Sequence, residues 1–148
     1  MAEDRLIIRK MTDEDAVFLA AIEEETFSMP WKVSDFLEMN AHDEVVYLVA
    51  ELEGRIIGGC GVRNICGDGE ITNVVIQKDF RGRGYSYIML DRLLEEGREL
   101  GASDFTLEVR ASNKAAIGLY EKLGFVSEGV RPRFYEKPVE DALIMWKR

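Results

Sequence analysis

Two hydrophobic rhythms alternate along this chain. Nearly continuous apolar runs at 45–50 and 71–76, and a strictly alternating run at 103–110, read as strands. Leu90, Leu93, Leu94, Gly97 and Leu100 instead recur three and four residues apart, which marks one face of a long helix. Residues 5–10 give a further short strand. Thr12 then supplies a helix N-cap, with Asp13-Glu14-Asp15 in the first turn and Asp15 at the capping-box position. Val17, Ala20, Ala21, Ile22 and Phe27 are read as the buried side of that first helix, and Glu23-Glu24-Glu25 as mostly outward. Pro30 breaks the chain, Trp31 follows, and 34–37 starts a second short helix.

Glu53-Gly54 is a tight turn between 45–50 and its hairpin partner at 55–62, where Gly58, Gly59 and Gly61 signal a bulge or a close backbone approach. Gly67-Asp68-Gly69 turns again, so 45–77 reads as an antiparallel meander. The strand at 103–110 must run parallel to 71–76, because a helix of about 16 residues between them makes a βαβ crossover. Gly101 ends that helix. Asn113 caps another at 114–123 and Gly124 terminates it. Two last strands, near 125–128 and 141–146, flank a segment holding Pro132 and Pro138. The expected fold class is α+β (mixed α/β): a central mixed sheet made of an antiparallel meander plus a parallel central strand pair, with helices on both faces. With no repeat, low-complexity tract or linker, residues 1–148 read as a single domain.

The stretch from 69 to 87 carries the clearest chemistry. A β-branched strand feeds Arg81-Gly82-Arg83-Gly84-Tyr85-Ser86 and then opens the long helix. Glycines let a backbone approach closely, the helix's first N–H groups are free, and its dipole adds positive potential, which together suit a phosphate. A dinucleotide-binding G-x-G-x-x-G weakens because its third position falls at Tyr87, and no P-loop pattern is present. A plain strand-to-helix turn with surface arginines is the other reading.

Composition narrows the classes. At 47% hydrophobic and 32% charged the chain is neither disordered nor fibrous. The opening ten residues lack the apolar core of a secretory leader, and no run approaches the roughly 18 apolar residues of a membrane span, so a cytoplasmic protein with no membrane partner is expected. A net charge of −9 disfavours direct nucleic-acid binding. That charge is uneven: residues 1–54 hold 14 acids and 4 bases, leaving 14 acids and 15 bases for the rest. A solvated face explains this, as would a cationic substrate on one side and an anionic one on the other. Cys60 and Cys66 in C-x5-C fit neither a zinc site nor a disulfide framework and read as buried thiols. His42, the one histidine, sits in a polar turn, so no multi-histidine metal site exists and no metal is expected.

Three side chains stand out. In 104–110, Thr106, Glu108 and Arg110 share one face of the strand, Phe105, Leu107 and Val109 the other. A carboxylate in mid-strand at the centre of a sheet is costly unless paired or used, so Glu108 is either a base or the partner of Arg110. Tyr120 lies on a helix with Ile117, Leu119 and Leu123, where a core tyrosine is the default. Trp31, Tyr47, Phe134 and Tyr135 near chain breaks could wall a substrate groove.

Taken together, NVVI at 73–76, RGRGYS at 81–86, LEVRASN at 107–113 and GLYEKLGF at 118–125 resemble the GNAT superfamily of acyl-CoA-dependent N-acyltransferases, and within it the ribosomal-protein-alanine N-acetyltransferase (RimI-type) branch. The resemblance covers nearly the whole chain, including FSMPW at 27–31. It implies that Val74, Val75 and Ile76 offer backbone groups to the pantetheine arm of acetyl-CoA. Arg81, Gly82, Arg83, Gly84, Tyr85, Ser86 and Tyr87 would hold the pyrophosphate, Asn113 would touch the cosubstrate, Glu108 would be the general base and Tyr120 the general acid. Trp31 and Tyr135 would border the acceptor, the N-terminus of a small-subunit ribosomal protein. The family attacks the thioester directly, so neither cysteine is needed. A different amine acceptor (another N-terminus, a lysine or a polyamine) and a non-catalytic acyl-CoA-binding module remain the alternatives.

Overall fold

A computed structural model describes residues 5–148; Met1 to Asp4, at the head of the stretch read as carrying no leader, lie outside the described residues. The elements run β1 (Leu6–Lys10), α1 (Ala16–Thr26), α2 (Val33–Asn40), β2 (Val45–Leu52), β3 (Arg55–Ile65), β4 (Asp68–Ile76), α3 (Tyr85–Glu99), β5 (Asp104–Arg110), α4 (Lys114–Lys122), β6 (Val126–Tyr135) and β7 (Glu140–Lys147). They form a seven-stranded sheet in the order β1-β2-β3-β4-β5-β7-β6. Every neighbouring pair is antiparallel except β4–β5, as the crossover through α3 requires.

Alternation along β2 divides the core. Val46, Leu48 and Ala50 join Ile71, Met89, Leu90, Leu93, Phe105, Leu107, Tyr120 and Met145 on the side covered by α3 and α4. Tyr47 and Val49 point the other way, onto Leu19, Phe36 and Met39 of α1 and α2. Helices therefore cover both faces. The first layer is tight where α3 crosses the parallel pair. A Cβ at Gly97 would lie 2.5 Å from the Phe105 ring, and one at Gly69 2.6 Å from it.

The parallel pair differs from expectation. β5 pairs with β4 only at Asp68–Glu70, opposite Asp104–Thr106, and not along 71–76. The cause lies on the other edge of β4. Gly61 of β3 faces Thr72 and Gly59 faces Val75, so Asn73 and Val74 together oppose Cys60. Asn73 takes φ +50, a left-handed conformation that asparagine tolerates, and the resulting bulge turns β4 away from β5. The two central strands start together and then part.

Other elements shift in detail. α1 buries Ala16, Leu19, Ile22 and Glu23, while Val17 and Phe27 are exposed. A tight 3-10 turn at Asp13–Asp15 sets this phase. Asp15 is locked there by both Arg9 guanidinium nitrogens, at 2.7 and 3.0 Å, and by the Thr12 N–H at 2.7 Å. Burial alone would raise the Asp15 carboxyl, but the Arg9 and Thr12 hydrogen bonds outweigh it and hold the group below the usual carboxylate range. The last two strands are longer than expected, because Pro132 is tolerated on β6, an edge strand. Cys60 is buried, whereas Cys66, in the β3–β4 turn, is exposed.

The Gly97 contact predicts that Gly97→Ala overpacks the α3–β5 seam. A loss of about 1–3 kcal/mol in urea denaturation is expected, despite alanine's better helix propensity. A stabilised variant would show that α3 has room to move off Phe105.

Candidate active site

The face of the sheet opposite α3 gathers the polar chemistry. Glu70 pairs with Thr106 in the parallel register, so Thr72 and Glu108, two residues on, point to the same side as they do. Tyr47, Gly61 and Thr72 are cross-strand partners and share that side. Glu108 thus stands just beyond the point where β4 and β5 part, on the face flanked by α1 and α2. The β4 backbone from Thr72 to Ile76 has no ladder partner on its β5 side among the described residues.

At the far end of β4 the chain enters the Arg/Gly turn. Gly82 and Gly84 take φ +77 and +82, and a Cβ at either would meet nothing within 4 Å. The turn is therefore an open cradle that only glycine enters without strain. Gly84 is the residue before α3, so the first-turn N–H groups of Tyr85, Ser86 and Tyr87 point into that space. Side chains there do other work. Arg81 donates from Nε to the Ile76 carbonyl at 2.8 Å and fixes the strand end, Arg83 lies 5.5 Å over the Phe80 ring, and Tyr85 is buried in the core. Backbone groups, with two adjacent cations, make this site.

Glu108 does not pair with Arg110. Arg110 turns to Glu140, 3.3 Å away, and to the carbonyls of Glu136 and Pro138, while stacking 4.4 Å over the Tyr135 ring. Glu108 faces Arg131 of β6, whose Nε lies 2.8 Å from Oε2. The N–H is poorly aimed, so this oxygen gains charge contact but no directed hydrogen bond. Arg131 is more than half exposed, which makes the pair weak and breakable.

Tyr120 enters from α4. Its ring meets Phe125 edge-on at 6.0 Å and is 7% exposed, so the core role and a site role coincide. Burial, with smaller contributions from Cys60 and Tyr135, pushes its phenol well above the ordinary range, so it stays a proton donor. Tyr135 links the two candidates. Burial and then the field of Glu108 raise its phenol, and it lies within electrostatic reach of Tyr120. Asn113 caps α4 by accepting the Ala116 N–H at 3.2 Å. That commits Oδ1, while its NH2 makes no hydrogen bond among the described residues. Glu140 Oε2 accepts the Ser112 N–H at 2.6 Å and anchors this turn to β7.

The aromatic groove divides. Trp31 packs edge-on against Phe36, and Phe36 against Tyr47, so Tyr47 is core rather than rim. Phe134 and Tyr135 form a separate pair on β6. Residues missed from the sequence are Arg131, as the partner of Glu108, and the pair of buried Glu23 and half-buried Asn73, which the buried Tyr47 hydroxyl joins. Glu23 occupies a core position of the α1 stripe, and Asn73 interrupts a β-branched strand; both signals were present. Among the described residues no cluster of His, Cys, Asp or Glu could hold a metal, and no helix is long and apolar enough to cross a membrane.

Comparison with known proteins shows the family and the fold. The acetyltransferase (GNAT) family profile matches residues 16–125. A protein of Bacillus subtilis (strain 168), provisionally named a ribosomal protein bS18-alanine N-acetyltransferase, is 37% identical over 140 residues, covering 94% of this chain and 93% of its own. The ribosomal protein bS18-alanine N-acetyltransferase of Salmonella typhimurium (strain LT2) is 32% identical over 126 residues, 84% of either chain. Among solved structures, the ribosomal-protein-S18-alanine N-acetyltransferase of Escherichia coli superposes with a TM-score of 0.87 at 27% identity, over 96% of this chain and 92% of its own.

Three shielded phenols set an alkaline limit. Tyr47, Tyr120 and Tyr135 hold their protons in the fold above the pH where an unfolded tyrosine ionises, about 10. The unfolded chain then binds fewer protons than the native one, so stability falls as pH rises past 10. Urea midpoints measured from pH 8 to 11 should show that fall, and Tyr120→Phe should lose less over the same range than the parent. Equal losses in the two proteins would mean that Tyr120 is solvated.

Proposed function

The chain belongs to the acetyltransferase (GNAT) family and is an acetyl-CoA-dependent N-acetyltransferase; within that activity we propose that it acetylates the α-amine of an N-terminal alanine on a small-subunit ribosomal protein. The support for the acceptor is that the Bacillus, Salmonella and Escherichia relatives are named for the alanine of ribosomal protein bS18 or S18. The observation that carries the chemistry is the position of Glu108, a carboxylate on an open face beside the parted strands.

The residues present fit acetyl-CoA. Gly82 and Gly84 leave an open cradle lined by free N–H groups, suited to a pyrophosphate. The unpartnered edge of β4 at Val74, Val75 and Ile76 offers amide groups of the kind a pantetheine arm can pair with, as an added strand would. Bound there, acetyl-CoA supplies an activated thioester. An α-amine titrates near 7.7–8.0, so about a tenth is neutral at pH 7, far more than for a lysine near 10.4. As the neutral nitrogen attacks the thioester carbonyl, Glu108 takes one of its two protons, directly or through one water, and the other stays on the amide. Arg131 must yield its place for this, and an incoming ammonium is the natural replacement for its charge. Tyr120 returns a proton to the departing sulfur, and its burial keeps that proton available at neutral pH.

Glu108→Gln should lower turnover about 10²–10⁴-fold while leaving acetyl-CoA binding intact. Wild-type turnover in that variant would remove Glu108 from the proton path. Tyr120→Phe, assayed at saturating acetyl-CoA, should slow turnover as well; an unchanged rate would refute the acid role. For the acceptor, the protein is incubated with acetyl-CoA and peptides that differ only in residue 1, and products are read by mass spectrometry. Acetylation confined to the α-amine and strongest with alanine is expected. Modification of lysine side chains alone would overturn the N-terminal assignment.

A further inference from the structure

One buried carboxylate has no part in this proton transfer. Glu23 lies in the last turn of α1 and is 1% exposed. Its Oε1 accepts two hydrogen bonds, from the Trp31 backbone N–H at 3.0 Å and from Asn73 Nδ2 at 3.2 Å. Its Oε2 is equally buried and has no partner among the described residues. Burial raises the carboxyl, against the pull of those two donors. A leucine here would complete the stripe of Ala16, Leu19 and Ile22 without any desolvation cost. What the carboxylate adds is the convergence of two N–H groups from separate parts of the chain.

Those two groups belong to two different sides of the site. Asn73 is the left-handed residue of the bulge that turns β4 away from β5. It is held at both ends: Glu23 takes its side-chain amide, and its carbonyl accepts the buried Tyr47 hydroxyl at 3.1 Å. Pinning the side chain and the carbonyl fixes the peptide plane between Asn73 and Val74. The direction in which Val74 and the residues after it present their amide groups follows from that plane. Trp31, on the connection between α1 and α2, borders the same face as Glu108 and packs edge-on against Phe36.

We propose that Glu23 is a positioning residue that ties the acceptor-side loop at Trp31 to the acyl-donor strand at Asn73 through one oxygen atom. The inference rests on the reading of β4 as the strand that receives acetyl-CoA. The clamp needs an acceptor at Oε1 and not a charge, since Oε2 makes no hydrogen bond among the described residues. A glutamine therefore reproduces it and an alanine abolishes it. Tyr47→Phe cuts only the strand end.

Isothermal titration with acetyl-CoA, in the absence of acceptor, separates the possibilities. Parent protein that fails to bind would end the reading of β4 itself. Given binding, Glu23→Ala should weaken it about tenfold, the scale of one lost hydrogen bond to a buried carboxylate. Glu23→Gln should stay within about twofold of the parent, and Tyr47→Phe should weaken binding about threefold. In steady-state kinetics Glu23→Ala should also raise the acceptor KM, because Trp31 is released, whereas Tyr47→Phe should not. If Glu23→Ala does not fold, the Glu23→Gln and Tyr47→Phe pair decides. Unaltered acetyl-CoA affinity in Tyr47→Phe and any folded Glu23→Ala would overturn the clamp. So would a Glu23→Gln as weak as the alanine variant, which would make the charge the essential feature.

Discussion

Two parallel strands that pair for three residues and then separate are the constraint on which this molecule depends. A sheet normally gains from every ladder hydrogen bond, and each buried amide left unpaired costs free energy. Here β4 gives up that pairing beyond Glu70, with a bulge at Asn73 turning it aside. The resulting edge lies within the sheet, not at its rim, and so is shielded from pairing with other chains. It is an edge open only to a ligand slim enough to enter between strands. The glycine turn at its end and Glu108 across from it then lie along one path.

The division of labour between backbone and side chain follows. In the proposed reading, recognition of a flexible, multiply charged cosubstrate falls to amide groups of β4 and of the first turn of α3, whose positions the sheet and helix fix. Side chains near the turn secure the scaffold: Arg81 ties off β4, and Tyr85 anchors α3 in the core. The proton handling proposed above falls to side chains of opposite character. Glu108 is partly solvated beside an exposed cation, and Tyr120 is buried among apolar groups that favour its neutral form. Glu24, Glu25, Asp35 and Glu38 of α1 and α2 are exposed and carry part of the acidity of the first third of the chain.

Much of this was legible in the sequence because local pattern and global fold agree. The meander, the crossover helix and the α4 cap came from periodicity, glycine punctuation and Asn113, all local signals. The phase of α1 was not, because an ion pair between Arg9 and Asp15, brought together by the fold, sets the first turn. Glu23 reads as outward for a general reason: a glutamate on a helix is usually solvated, and the partners that accompany its burial, Trp31 and Asn73, come from a loop and from the β4 bulge. Arg110 was the nearest cation to Glu108 in sequence, yet the antiparallel β5–β7–β6 arrangement delivers Arg131 instead. Long-range register, which no short window contains, accounts for these differences.

Amide hydrogen exchange of the protein with and without a non-reactive acetyl-CoA analogue addresses the parted strands most directly. Binding in the gap should slow exchange at Val74, Val75 and Ile76 and at Gly84, Tyr85 and Ser86 together, with little change on β1 or β2. Saturating analogue that leaves those amides unprotected would place the cosubstrate elsewhere and remove the function assigned to the opening between β4 and β5.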